Sequence, residues 1–115
     1  MSGPITTHVL DTARGRPAGG VAVVLEFRGA EDGWTELACG QTNTDGRLTT
    51  LLPDGAPLPV GTYRLRFATG DYHAALGLRG FYPEVQVLFQ IDEPGAHYHV
   101  PVLLSPFGYS TYRGS

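Results

Sequence analysis

Polar and apolar residues alternate along most of this chain, in short runs separated by turn residues. The clearest runs are residues 62–69 (TYRLRFAT) and 82–91 (YPEVQVLFQI), in which apolar side chains occupy every second position. Because successive side chains of a strand point to opposite faces of a sheet, these runs predict strands with one buried face. Further strands are predicted at residues 5–13, 21–27, 34–42, 97–105 and 111–115, with a short one beginning at Arg47.

Segments rich in glycine and proline connect the predicted strands, including NTDGR at residues 43–47 and a loop at residues 51–61. Turns are also predicted at EDGW (residues 31–34) and PFGYS (residues 106–110). Only GDYHAALGL, at residues 70–78, favours a helix. About seven or eight strands with one short helix indicate an all-β sandwich or barrel. A chain of 115 residues has the size of one domain, which we expect to span residues 1–115.

The predicted strand HYHVPVLLS, at residues 97–105, has one apolar and one mixed face. The apolar row, which we expect to face the core, consists of Tyr98, Val100, Val102 and Leu104. The other row consists of His97, His99, Pro101 and Leu103. Pro101 has no N–H to donate, so the strand should lie at a sheet edge or be irregular there. The two histidines are therefore expected outside the core.

Composition limits the chemistry of the protein. The chain contains no lysine, which excludes a Schiff base and a lysine general base. Its formal charge of −3 and lack of a basic cluster argue against nucleic acid or an anionic membrane as the main partner. No segment predicts a membrane span or a secretory signal, so we expect a soluble cytoplasmic protein. Proton transfer near neutral pH falls chiefly to the four histidines, His8, His73, His97 and His99.

Single residues leave several hypotheses open. His97 and His99 would lie roughly 7 Å apart on one strand face, a spacing that zinc sites use, and His8 could be a third ligand. The alternative is a pair of solvent-facing or interface histidines, which the lack of cysteine pairs and nearby carboxylates favours. We expect Cys39 to fill the core and His73 to lie on the surface. An arginine after an Asp-Gly turn, such as Arg47, most often points into water.

Four motifs, taken in order, identify a family. They are THVLDTARGRPAGGVAVVLE near the start, TNTDGR in the middle, GDY before FYPEV, and HYHVPVLLSPFGYSTYRGS at the end. Together they resemble the transthyretin-like family over residues 5–115. Within that family they look like the 5-hydroxyisourate hydrolase branch, because the closing YRGS separates the hydrolases from the hormone carriers.

The resemblance implies a two-sheet transthyretin-like (prealbumin) β-sandwich that assembles as a homotetramer, a dimer of dimers. It also implies hydrolysis of the cyclic amide of 5-hydroxyisourate to 2-oxo-4-hydroxy-4-carboxy-5-ureidoimidazoline in purine (urate) catabolism. No metal or organic cofactor is expected. The active sites would lie where the dimers meet, and this contact would keep the C-terminal residues ordered.

The resemblance also implies the residues of the site. The catalytic groups are expected to be His8, Arg47, His99 and Ser115, and the substrate-binding groups His8, Arg47 and Tyr112. Water activation falls to the pair of His8 and His99 without a choice between them. Arg47 would orient the substrate and stabilise negative charge on the amide oxygen.

Two other functions remain open at this stage. A transthyretin-like carrier would hold a hydrophobic ligand in its channel and would not need two histidines and an arginine at a small-molecule site. A structural or adhesive β-sandwich module would be a monomer with a dispensable C-terminus. His97 would have at most a supporting role in the hydrolase.

Overall fold

The computed structural model describes residues 3–29 and 32–115, and these form nine strands and one helix. In chain order the elements are β1 (Ile5–Asp11), β2 (Arg16–Pro17), β3 (Ala22–Arg28), β4 (Trp34–Gln41), β5 (Arg47–Leu48), β6 (Gly61–Phe67), α1 (Thr69–Ala75), β7 (Val85–Ile91), β8 (Tyr98–Ser105) and β9 (Gly108–Thr111). The predicted count of seven or eight strands lacks β2, a two-residue strand in the glycine- and proline-containing connection between β1 and β3. Glu31, the first residue of the turn predicted at residues 31–34, lies outside the described residues.

The strands form two sheets. The first has the order β2-β1-β8-β9, and β5 also pairs with β1; the second has the order β4-β3-β6-β7. Every pairing between these strands is antiparallel except that of β1 with β8, which is parallel. The prediction of a two-sheet β-sandwich with one short helix is confirmed.

The core lies between the two sheets and is built from the alternate apolar rows. On β6 the inward residues Tyr63, Leu65 and Phe67 are fully buried. The predicted apolar row of β8 is also buried, with Tyr98 and Val100 only slightly accessible. Each large apolar side chain removed from water in this way contributes about 1.5–3 kcal/mol. The opposite face of β8, which carries the histidines, is therefore the outer face of the first sheet.

The helix is shorter than predicted and ties the two sheets together. It ends at Ala75, ahead of Gly77, whose φ of +74° leaves the helical region. The hydroxyl of Tyr72 donates to the Asp11 carboxylate at 2.7 Å, and the backbone N–H of Arg14 donates to the same carboxylate at 3.0 Å. Asp11 is only 2% exposed. The aspartate of THVLD and the tyrosine of GDY thus hold the helix against β1. No helix of the described residues is long enough to cross a membrane.

Two expectations about single side chains are wrong. His73 is 2% exposed, because it lies on the packed side of α1 with Tyr72. Cys39 is exposed because it pairs with Val24, whose side chain points away from the core while those of its neighbours are buried. A cysteine on the outer face of β4, an edge strand, does not fill the core.

The chain after β8 also differs from the prediction. The turn is shorter than residues 106–110, because β9 already begins at Gly108, and the regular strand stops at Thr111 instead of continuing to residue 115. The pairing resumes as a single bridge between His99 and Gly114 in the same register. Between these points Tyr112 opposes Pro101, which has no N–H to donate, so the ladder between β8 and the tail is interrupted there. The strand β8 itself is regular through Pro101 and keeps its register with β1.

Candidate active site

The first sheet brings His8, Arg47 and His99 to one surface. His8 pairs with Arg47 on β5 and with Pro101 on β8, two residues beyond His99. Paired residues of neighbouring strands share a face, as do residues two apart on one strand. His8 and His99 therefore lie diagonally on the outer face, with Cα atoms roughly 8 Å apart from strand spacing and rise.

The turn at residues 43–47 holds Arg47 next to His8. The side-chain oxygen of Asn43 accepts the backbone N–H groups of Asp45, at 2.9 Å, and of Arg47, at 3.0 Å. Gly46 has a φ of +74°, and a Cβ there would collide with the carbonyl oxygen of Val9. A side chain at this position would be strained and would push the turn away from β1. The glycine therefore permits the close approach that places Arg47 in register.

His8 is anchored by the same turn. Its Nε2 lies 2.9 Å from the carbonyl oxygen of Asp45. A carbonyl oxygen only accepts, so Nε2 carries the proton of this hydrogen bond. The neutral His8 ring then has its lone pair on Nδ1, and the ring orientation is fixed by the backbone.

His99 is the titratable group of the site whose pKa is displaced. It is half-buried, and burial is the largest cause that lowers its pKa; the positive charges of Arg47, His97 and His8 lower it further. All of these effects penalise the imidazolium form. Nδ1 of His99 lies 2.8 Å from the hydroxyl of Thr6. One ring nitrogen is thus held by Thr6, and the lowered pKa favours the neutral form of the ring.

The C-terminal residues reach the site through the backbone. The N–H of Gly114 donates to the carbonyl oxygen of His99 at 2.8 Å. Ser115 follows directly, and both Ser115 and Tyr112 are exposed. Tyr112 opposes Pro101 in the register and so lies on the outer face beside His99. The tail is therefore held by its own chain, in addition to any subunit contact.

The side chain of Arg113 points away from the outer face that carries His99 and Tyr112, toward the core. Its guanidinium lies 4.6 Å from the centroid of the Tyr98 ring, whose side chain belongs to the core row. A cation over an aromatic face at this distance is attractive. This contact anchors the tail between Tyr112 and Gly114, so Arg113 has a structural role in positioning the residues on either side of it.

Thr6 is the residue that sequence reasoning missed. Its hydroxyl contacts Nδ1 of His99 and, at 3.2 Å, Nε2 of His97, and its side chain is almost fully buried. The motif TTH gives no signal for this role, because threonine is a common strand residue and its partners lie more than ninety positions away.

The metal hypothesis finds no ligand set in the part of the chain that the structure describes. No group of three or more His, Cys, Asp or Glu residues there is placed to hold a metal ion. Nε2 of His97 and Nδ1 of His99 both lie within hydrogen-bond distance of the Thr6 hydroxyl.

Comparison with known proteins places the chain in a family. The family model described as the HIUase/Transthyretin family matches residues 5–114. The chain belongs to this family. A relative from Salmonella typhimurium named 5-hydroxyisourate hydrolase is 50% identical over 111 residues, which cover 96% of this chain and 80% of the relative. A mouse protein with the same name is 48% identical over 115 residues, covering 99% of this chain and 97% of that protein. The family resemblance seen in the motifs is confirmed.

Solved structures of both a hydrolase and a carrier share the fold. The 5-hydroxyisourate hydrolase of Klebsiella pneumoniae superposes with a TM-score of 0.84 at 40% identity, covering 98% of this chain and 94% of that one. Sea bream transthyretin in complex with thyroxine superposes with a TM-score of 0.90 at 35% identity, covering 96% of this chain and 94% of that one. The backbone is thus common to both, and side chains must separate enzyme from carrier.

Proposed function

We propose that this protein is an enzyme that hydrolyses 5-hydroxyisourate, opening its cyclic amide to 2-oxo-4-hydroxy-4-carboxy-5-ureidoimidazoline in urate catabolism. Relatives that carry the name of this activity are 48–50% identical to the chain over almost its whole length. The observation that carries the proposal is the placement of two histidines and an arginine on one sheet face, where the pKa of His99 is lowered. A carrier of a hydrophobic ligand has no use for such a cluster.

His99 is the general base. Water is a poor nucleophile, and a positioned base that takes its proton contributes roughly 10²–10⁴-fold. The lowered pKa keeps His99 neutral near physiological pH, and the Thr6 contact at Nδ1 leaves Nε2 for the water. His8 has its Nε2 engaged with the backbone of Asp45, so it orients the substrate through Nδ1. The hydrolytic water would then attack the ring carbonyl between the two imidazoles.

Arg47 stabilises the charge that develops on the amide oxygen. Its guanidinium stays protonated and can contact two oxygen atoms at once, and it is exposed on the same face as His8. Preorganised donors aimed at a developing oxyanion are often the largest single term in catalysis. Because β5 is only two residues long, the hydrogen bonds of Asn43 provide the rigidity that this task requires.

Tyr112 and Ser115 bind the heterocycle through their hydroxyl groups. Both are exposed and lie next to the backbone bridge between Gly114 and His99. The substrate is rich in carbonyl oxygens and N–H groups, and a hydroxyl can donate to the former and accept from the latter. Tyr112 and Ser115 thus add to the substrate contacts that His8 and Arg47 make from the strands.

The proposed assembly is a cytoplasmic homotetramer, a dimer of dimers, that works without metal or organic cofactor. Large apolar side chains are exposed on the single chain, including Phe107 at 75%, Phe81 at 69% and Leu88 at 59%. Exposed apolar patches and free edge strands such as β7 and β9 favour association with further copies. Light scattering of the purified protein tests this part, and a monomer would contradict it.

The activity itself is tested by adding purified protein to freshly generated 5-hydroxyisourate. Its near-ultraviolet absorbance should decay much faster than in buffer alone, and a chelator should leave the rate unchanged. The high structural similarity to a thyroxine-bound transthyretin makes a carrier the second candidate. A decay rate equal to that of buffer, together with saturable binding of thyroxine, would favour the carrier and contradict the hydrolase.

A further inference from the structure

Two histidine rings meet at one buried hydroxyl group. The Oγ1 atom of Thr6 lies 2.8 Å from Nδ1 of His99 and 3.2 Å from Nε2 of His97. Thr6 is 3% exposed, whereas His97 is exposed and His99 is half-buried. The hydroxyl therefore stands between the proposed general base and a histidine in contact with solvent.

The backbone holds this contact in place. Thr6 pairs directly with His99 in the parallel ladder of β1 and β8, so both side chains leave the outer face at the same level. On the tail side, a Cβ at Gly114 would lie only 2.5 Å from Cδ2 of His99. The His99 ring is thus confined between the Thr6 hydroxyl and the backbone of Gly114, and it has little freedom to turn away from either.

A hydroxyl has a single proton, and this restricts the tautomers of the two rings. Thr6 can donate to at most one ring nitrogen, so at least one of the two nitrogens must donate to the hydroxyl oxygen, which has two lone pairs, if both hydrogen bonds form. In the first arrangement His99 donates from Nδ1 to Thr6, and Thr6 donates to His97. In the second arrangement both hydrogen bonds run in the opposite direction, and His99 carries its proton on Nε2. In a third arrangement both rings donate to the hydroxyl oxygen, and His99 again carries its proton on Nδ1.

Only an arrangement in which His99 donates from Nδ1 suits a general base. There Nε2 of His99 has its lone pair free, and on taking a proton from water the ring keeps its Nδ1 hydrogen bond to Thr6 unchanged. In the second arrangement Nε2 is already protonated, so His99 cannot accept a proton there until the hydroxyl turns and both hydrogen bonds reverse. A network that needs no reorientation at the moment of proton transfer avoids the free-energy cost of reversing both hydrogen bonds.

We propose that Thr6 is a positioning residue that, together with His97, fixes His99 as the tautomer with its lone pair on Nε2. Thr6 does not touch the substrate and acts only through His99. The inference deepens the proposed function and rests on it, both for the choice of tautomer and for its kinetic consequences. The tautomer itself is a property of the protein without substrate and can be measured separately.

The direct test is long-range ¹H–¹⁵N correlation NMR of the imidazoles in the whole protein, without substrate. The wild-type protein should show a protonated Nδ1 and an unprotonated Nε2 for neutral His99. The Thr6→Val variant, which keeps the shape but lacks the hydroxyl, should lose this preference, and Thr6→Ser should restore it. Thr7→Val is the matched control, because the buried Thr7 hydroxyl donates to the carbonyl oxygen of Val100 and to no histidine.

The kinetic test uses the same variants. Thr6→Val should lower kcat for 5-hydroxyisourate by about tenfold or more, as expected for the loss of a group that orients a catalytic histidine, with little change in KM. Thr6→Ser and Thr7→Val should keep most of kcat. His97→Phe removes the other hydrogen-bond partner of Thr6 at an exposed position and should lower kcat below that of the wild-type protein. It covers the case in which Thr6→Val does not fold, and an unchanged kcat and an unchanged His99 tautomer would then overturn the inference.

The outcomes separate this inference from the proposed function. A wild-type His99 with its proton on Nε2 would overturn the inference, whatever the activity. So would a folded Thr6→Val protein with unchanged tautomer and kcat. A wild-type protein with the expected tautomer but no activity on 5-hydroxyisourate would contradict the proposed function and leave the hydrogen-bond assignment standing.

Discussion

The backbone of Gly114 lies against the imidazole ring of His99. The N–H of Gly114 donates to the His99 carbonyl oxygen at 2.8 Å, and a Cβ at this glycine would lie 2.5 Å from Cδ2 of the ring. Real Cβ contacts are not that short, so only glycine fits without moving one of the partners. A glycine is thus required at this position of the closing YRGS because it lets the backbone of the tail pack directly against the His99 ring.

The substitution Gly114→Ala should therefore impair catalysis without unfolding the protein. The new methyl group displaces either the His99 ring or the tail, and a displacement of about 1 Å in a catalytic constellation can cost 10²-fold in rate. We expect kcat for 5-hydroxyisourate to fall by at least tenfold, measured by the decay of its near-ultraviolet absorbance. Gly95→Ala is the matched control, because a Cβ there meets no atom within 4 Å. Equal kcat values for both variants would contradict the packing argument.

Deletion of residues 113–115 tests the tail as a whole. It removes the bridge of Gly114 to His99 and the Arg113 contact with Tyr98, but leaves β9 intact. We expect circular dichroism to show a folded β-protein and the turnover of 5-hydroxyisourate to be lost. Full activity of the truncated protein would remove the C-terminal residues from the site.

The pKa of His99 gives the enzyme a defined pH dependence. Burial is the main cause that lowers this pKa, followed by the charge of Arg47 and then by those of His97 and His8. Because the imidazolium is disfavoured, His99 stays neutral as the pH falls past the ordinary histidine value of about 6.5. The acidic limb of the kcat profile should therefore lie below that value, and a limb above it would contradict His99 as the base.

The contribution of Arg47 to this pKa can be measured directly. In Arg47→Gln one positive charge near His99 is lost, so the imidazolium is penalised less and the pKa must rise. An NMR titration of the His99 ring protons should show a higher midpoint than in wild type. Arg79→Gln removes an exposed arginine in the irregular segment between α1 and β7 and should leave the midpoint unchanged. A lowered or unchanged midpoint in Arg47→Gln would show that Arg47 does not act on His99.

His73 provides a prediction on stability. It is 2% exposed, and neither of its ring nitrogens has a hydrogen-bond partner among the described residues. A buried polar group without a partner costs about 1–3 kcal/mol. His73→Phe should remove this cost and raise the midpoint of urea unfolding by the equivalent of about 1 kcal/mol, while kcat stays unchanged. His73→Leu covers the case in which Phe is too large for the space beside Gly80, and lower midpoints in both variants would contradict the argument.

Alternation along the chain was enough to predict which faces are buried. The apolar rows of β6 and β8 follow a period of two, and burial of every second side chain is what makes a strand stable in a sandwich. Glu26 shows the limit of this rule. Alternation with the buried Val23 and Leu25 puts Glu26 on the face away from the core. It is nevertheless only 7% exposed, because Arg64 and Arg66 on the neighbouring strand form ion pairs with it and cover it. Alternation predicts on which face of the sheet a side chain lies, but not whether side chains of the neighbouring strand bury it.

The candidate site residues could be selected from motifs, but the contacts between them could not be predicted. His8, Arg47 and His99 stand in recognisable motifs, whereas their meeting depends on the parallel register of β1 and β8 and on the pairing of β5. Such registers join positions far apart in the chain and leave no local pattern. Thr6 was missed for this reason, since only the register with His99 distinguishes it from Thr7.

The central claim is that His99 removes the proton from the attacking water on the outer face of the first sheet. The most direct measurement is the single-turnover rate of 5-hydroxyisourate hydrolysis by His99→Ala, with enzyme in excess and the assembly checked by light scattering. The account predicts a rate at least about 100-fold below that of the wild-type protein, consistent with the loss of a general base. A correctly assembled His99→Ala protein that hydrolyses the substrate at close to the wild-type rate would contradict it.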